Sequence, residues 1–108
     1  SGNKIQCTSP PYFLATKLEA FDGRGNNDYL LSHDIEDLVT VIDGRPEIID
    51  DIAASEPGLI SYLADRFEGL LQSRAFTDAV AGHLPPDAAT QERLEIVLKR
   101  MGAIISAR

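Results

Sequence analysis

A chain of 108 residues is the size of one domain and can bury a core without disulfides or metal. Its hydrophobic share of 44% and charged share of 25% are globular proportions and exclude a disordered polymer. Seventeen acidic against ten basic residues give a net charge of −7, which argues against a surface built for nucleic acid or anionic membrane. Direct DNA binding is therefore not expected, and no apolar run is long enough to cross a bilayer.

The chain opens Ser1-Gly2-Asn3-Lys4, and its single methionine is Met101, so a trimmed piece of a longer protein is expected. Cys7 is the only cysteine and can form no internal disulfide, which fits a reducing, cytoplasmic setting. Residues 1–10 read as an extended segment. Lys4-Ile5-Gln6-Cys7-Thr8 alternates polar and apolar side chains, as the last strand of a missing αβ core would. An unpaired edge there makes a second copy of the chain a candidate partner.

Residues 11–108 read as one helical domain. The first helix is expected from Pro11 to about Phe21, ended by the glycines and asparagines of Asp22–Asn27. Ser32 caps a second that runs to Asp43-Gly44, with Asp34, Glu36 and Asp37 in its first turns. Pro46 is placed at N1 of a short third helix over Glu47 to about Ala54, with Ile48, Ile49, Ile52 and Ala53 on one face. Pro57 restarts the chain, and Leu59, Ile60, Leu63, Phe67, Leu70 and Leu71 form the buried stripe of a fourth. A fifth covers about Ser73 to Ala81, with His83 in the loop beyond it. A sixth, capped by Asp87, turns Leu94, Val97, Leu98, Met101, Ile104 and Ile105 inward. The fold class is all-α, a bundle of five to six helices with one residual N-terminal strand as an option.

Helical wheels locate two charges among apolar neighbours. Lys17 falls inside the arc of Phe13, Leu14, Leu18, Ala20 and Phe21, and Asp34 inside that of Ile35, Leu38, Val39, Val41 and Ile42. Asp37 lies just outside the second arc, while His33 and Glu36 face the polar side. A lone buried charge is unfavourable, so Lys17 and Asp34 must find partners. They either form a structural ion pair or border a pocket in which Lys17 meets an anionic ligand such as phosphate. No metal site is expected, because His33 has no second histidine at ligand spacing.

The run Pro11-Tyr12-Phe13-Leu14-Ala15-Thr16-Lys17-Leu18-Glu19-Ala20-Phe21, then Gly23-Arg24-Gly25, Asp28-Tyr29 and Ser32-His33-Asp34-Ile35-Glu36-Asp37-Leu38, resembles the later half of AbiEii/AbiGii-type nucleotidyltransferases. These are bacterial, phage-defence or toxin-linked members of the DNA polymerase β-like superfamily. The likeness covers roughly Ser9 to Gly44. It implies that Lys17 contacts nucleotide phosphates and that Asp34, with Asp37 as second option, completes the pocket. Arg24 and Asp28 become nucleotide-binding candidates in the intervening segment. It also implies an N-terminal core whose Gly-Ser motif and Asp-x-Asp pair hold two Mg²⁺ ions. Neither motif occurs in these 108 residues, so this piece is not expected to catalyse nucleotidyl transfer by itself. Mg²⁺ and a nucleoside triphosphate are expected only for a full-length enzyme. The alternative is a non-catalytic helical interaction or oligomerisation module, such as an antitoxin-like partner.

Overall fold

Prolines and serine caps decide where the helices begin. The computed structural model describes residues 9–24, 28–84 and 89–108, with Arg24 by its backbone alone. The extended segment Lys4–Thr8 and the capping residue Asp87 lie outside the described residues. Those that are described form six α-helices: α1 (Pro10–Arg24), α2 (His33–Gly44), α3 (Ile48–Ala53), α4 (Pro57–Leu71), α5 (Arg74–His83) and α6 (Thr90–Ser106). The all-α bundle expected from the sequence is the observed architecture.

Local chemistry accounts for the boundaries. Ser32 is the N-cap of α2, its hydroxyl accepting the Ile35 N–H at 3.1 Å, and Ser73 does the same for α5 through the Phe76 N–H at 3.3 Å. Pro57 occupies the first turn of α4, where a missing N–H removes no helical bond. Helix α1 starts one residue early, at Pro10, for the same reason, and continues through Asp22-Gly23 to Arg24.

Pro46 behaves differently from expectation. It lies in a turn that the Ile48 N–H closes onto the Arg45 carbonyl at 3.0 Å, at the second turn position that its fixed φ suits. Helix α3 therefore starts only at Ile48. Ile48 and Ile52, four residues apart, face the core. Ala53 is exposed rather than inward, since one more residue rotates the side chain about 100° around so short a helix.

Helix α4 lies along α6, and α1 lies along α2. Contacts of α1 with α4 and of α2 with α6 close the bundle, with α3 and α5 packed at its sides. The centre contains Leu14, Leu18, Ile35, Leu38, Phe67 and Met101, all fully buried. Tyr29, in the turn before α2, joins this core by stacking on Phe21 at 5.1 Å and meeting Phe76 edge-on at 5.5 Å.

Polar ties fasten the helix pairs together. Arg100 of α6 donates to the Ile42 and Asp43 carbonyls at 2.7 and 2.9 Å, supplying the positive charge that the last turn of α2 lacks in its own sequence. Arg93 pairs with Asp43, Arg66 with Asp22 at 2.8 Å, and Arg108 with Asp65 and Glu68. Truncating Phe67 to Ala should lower the unfolding free energy by about 3–5 kcal/mol, and Ser32→Ala by about 1 kcal/mol. Urea denaturation followed by circular dichroism checks both, and a Phe67→Ala loss near that of the cap would disprove the assigned core.

Candidate functional site

The two misplaced charges meet. Lys17 projects from the middle of α1 toward the first turns of α2, where its ammonium lies 3.7 Å from Asp34 and 2.7 Å from Asp37. The same Nζ sits 5.3 Å from the centre of the Phe13 ring, one turn back along α1. Asp34 is the only buried charged residue among those described, at 4% exposure. Asp37 sits at the outer edge with its side chain 45% exposed, and the Lys17 side chain is 24% exposed.

Each position follows from helix geometry. Asp34 is the second residue of α2, where the exposed N–H groups of the first turn favour a negative charge. Its neighbours Ile35, Leu38 and Ile42 pull that face inward. Asp37 is one turn further and about 60° off the apolar face, so it can lean over the Lys17 head from the solvent side. The result is a cation held between a buried and a half-exposed carboxylate.

The electrostatics agree with a closed pair. The hydrogen bond to Asp37 is the largest influence on Lys17 and raises its pKa above the ordinary lysine value. Desolvation opposes this, and the Asp34 and Asp37 charges reinforce it. At neutral pH the cluster carries one positive and two negative formal charges, which leaves little field to attract an added anion.

The other candidate residues go elsewhere. Asp28 is tied into its own turn, where a carboxylate oxygen accepts the Leu31 N–H at 3.1 Å. Arg24 ends α1, and its side chain lies outside the described residues. His33 is fully solvated beside Glu36, at 3.3 Å. His83 is not in a loop: it is the last residue of α5, half buried, with Nε2 2.9 Å from the Tyr29 carbonyl. No group of three or more His, Cys, Asp or Glu side chains suited to a metal occurs among the described residues.

Beside the cluster, on the far side of Phe13, a cleft of about 400 Å³ opens between the start of α1 and the end of α2. Pro10, Phe13, Thr40, Val41, Gly44 and Arg45 line it, and Arg45 is itself neutralised by Asp51 at 2.6 Å. Only the apolar character of Phe13 and Val41 hinted at this feature in the sequence, since a cleft depends on how two helices splay.

No protein-family model matches the chain, and no curated protein or solved structure matches it either. The likeness to AbiEii/AbiGii-type enzymes thus rests on the residues named above.

The raised Lys17 pKa has a definite sign in stability. A lysine held more tightly protonated when folded contributes fully below its unfolded pKa, and the contribution disappears as pH rises through the folded value. Lys17→Met should therefore lower stability at pH 7 by at least about 1 kcal/mol, the exposed contact with Asp37 adding little and the loss of the cation beside buried Asp34 the larger part. The difference from wild type should shrink above about pH 10. Paired thermal melts from pH 7 to pH 11 test this, and a gap that widens at high pH would contradict the assignment.

Proposed function

We propose that this chain is a non-catalytic helical interaction module that docks a basic amphipathic segment in the apolar cleft between the start of α1 and the end of α2. The observation that carries this reading is the cleft itself: Pro10, Phe13 and Val41 present apolar surface at the edge of a bundle with a net charge of −7. A helix or strand with one greasy face fits such a groove, and positive charge on its other face complements the acidic balance of the chain as a whole. Arg45, which lines the cleft, is held by Asp51, and of the other basic side chains described Lys17, Arg66, Arg74, Arg93, Arg100 and Arg108 have an acidic or carbonyl partner, while Lys99 is exposed on α6.

The convergence of Lys17, Asp34 and Asp37 favours a second reading. In a longer nucleotidyltransferase-like protein, a nucleotide phosphate would displace the exposed Asp37 from the Lys17 ammonium while Asp34 stays in place. Mg²⁺ would then come with the nucleotide and be held by the catalytic core, for which this chain has no Asp-x-Asp.

Two variants separate the readings. Thr40 is exposed and lines the cleft, so Thr40→Lys adds a charge to it without disturbing the core. An amphipathic Leu/Lys peptide should bind the wild-type chain more tightly than its Leu/Glu counterpart, and Thr40→Lys should weaken that binding at least about tenfold. Isothermal titration at two salt concentrations measures both. Equal binding by the two peptides, or no effect of Thr40→Lys, defeats the docking proposal. A thermal shift with Mg²⁺–ATP that Lys17→Met abolishes would support the nucleotide reading instead.

A further inference from the structure

A further cleft, of about 240 Å³, opens between α1 and the first turns of α4. Tyr12, Ala15, Thr16 and Glu19 reach it from α1, at the i, i+3, i+4 and i+7 positions of a single helical face. Leu59 and Tyr62, three residues apart on α4, line the opposite side. Ala15 and Thr16 are short, so the two tyrosines and Glu19 stand up around a hollow. Cavities of about 150 Å³ hold a benzene molecule, so a compact ligand group fits here.

The groups around this hollow are accessible and of one electrical sense. Tyr12, Thr16 and Glu19 are exposed, and Tyr62 is half-buried. None of the described residues that line the cleft is basic, and Glu19 pairs with no cation among the described residues. Arg66, one turn along α4 from Tyr62, is held by Asp22 at 2.8 Å, and at Tyr62 the charges of Glu19 and Asp22 oppose that of Arg66. At 45% exposure Tyr12 is little constrained by packing, yet its hydroxyl donates to the Glu56 carboxylate. That bond holds the ring in place and raises the Tyr12 pKa, as burial does for Tyr62, so both rings stay neutral at pH 7.

We propose that this cleft binds a trimethylammonium group, seated between Tyr12 and Tyr62 with the Glu19 carboxylate at its rim. Charge and hydration select the class. An aromatic face attracts a cation through its quadrupole, and the carboxylate adds a Coulombic attraction of the same sense. An anion would meet Glu19 with no cation in the lining to offset it. A hard metal ion needs several oxygen ligands, and this cleft offers a single carboxylate. A primary ammonium is a strongly hydrated point charge whose three donors would each need an acceptor. The methylated group has no N–H to satisfy and presents apolar surface to the rings.

The test compares choline with neopentylcarbinol, the neutral alcohol of the same shape that has carbon in place of the charged nitrogen. Each is titrated into ¹⁵N-labelled protein and followed by amide chemical shifts. Choline should give saturable shifts at Ala15, Thr16, Glu19 and Tyr62, and the neutral alcohol should bind at least about threefold more weakly. Tyr62→Leu removes an aromatic face and should weaken choline at least about threefold, whereas Tyr62→Phe keeps the face and should bind like wild type. Glu19→Gln, at an exposed position, should weaken choline about twofold to fivefold. A glycine-flanked trimethyl-lysine peptide identifies the source of the group: tighter binding than choline assigns it to a protein side chain, and weaker binding to a free small cation. The proposal fails if choline gives no saturable shift at these amides, if the neutral alcohol binds as tightly, or if Tyr62→Leu or Glu19→Gln binds like wild type. The comparison of choline with the alcohol needs no variant and decides the matter even if Tyr62→Leu does not fold.

Discussion

A carboxylate at 4% exposure among isoleucines and leucines is the constraint around which the α1–α2 half of the bundle is organised. Asp34 must be compensated where it stands, because an isolated charge in an apolar interior is strongly unfavourable. The N-terminal turn of α2 supplies part of that compensation through its oriented backbone dipoles, and the Lys17 ammonium supplies more. Reaching Asp34 fixes the rotation of α1 about its axis. That rotation is the one that also buries Leu14, Leu18 and Phe21. The ion pair and the greasy seam thus specify the same docking of α1 on α2, and neither could be moved by a residue without dislocating the other.

The rest of the charge economy follows a similar plan. Arginines from late in the chain reach back to carboxylates and carbonyls far earlier in sequence: Arg100 and Arg93 to the end of α2, Arg108 to α4, Arg66 to α1. Individually such partly exposed pairs add little stability. Their effect is on arrangement, since together they tie α6 to α2, the end of the chain to α4, and α4 to α1, and a wrong register would leave several charges unmatched at once. With seventeen acidic residues against ten basic ones, carboxylates outnumber cations in the chain even where arginines such as Arg74 stay exposed.

Features encoded within one helical turn were legible in the sequence. The Ser32 and Ser73 caps, Pro57 in the first turn of α4, and the burial of Phe67, Met101 and Ile104 all follow from local chemistry or from a 3.6-residue period. The partnership of Lys17 with Asp34 was legible too, because a charge inside an apolar arc is a local anomaly with few remedies. The order of its partners was not. Asp37 sits outside the arc, yet it makes the shorter contact, 2.7 Å against 3.7 Å, because a long lysine side chain extends past the buried position toward the helix edge and solvent.

Features that depend on two distant elements could not be read from the pattern. Nothing local to Arg100 announces that it closes the carbonyl end of α2, some fifty-seven residues away in sequence. Tyr29 belongs to none of the apolar helix faces that the pattern defines, yet two aromatic contacts make it part of the core. The helical pattern of the fifth segment fades after Ala81, which places His83 in a loop, whereas α5 continues two residues further, to His83, and sets the imidazole against the Tyr29 carbonyl. Both observations have the same physical origin. The turn between α1 and α2 is held down by α5, through Phe76 and His83, and this tertiary anchor sets the depth at which the Tyr29 ring stacks on Phe21. The stacking of Tyr29 on Phe21 therefore depends on contacts with an element far away in sequence.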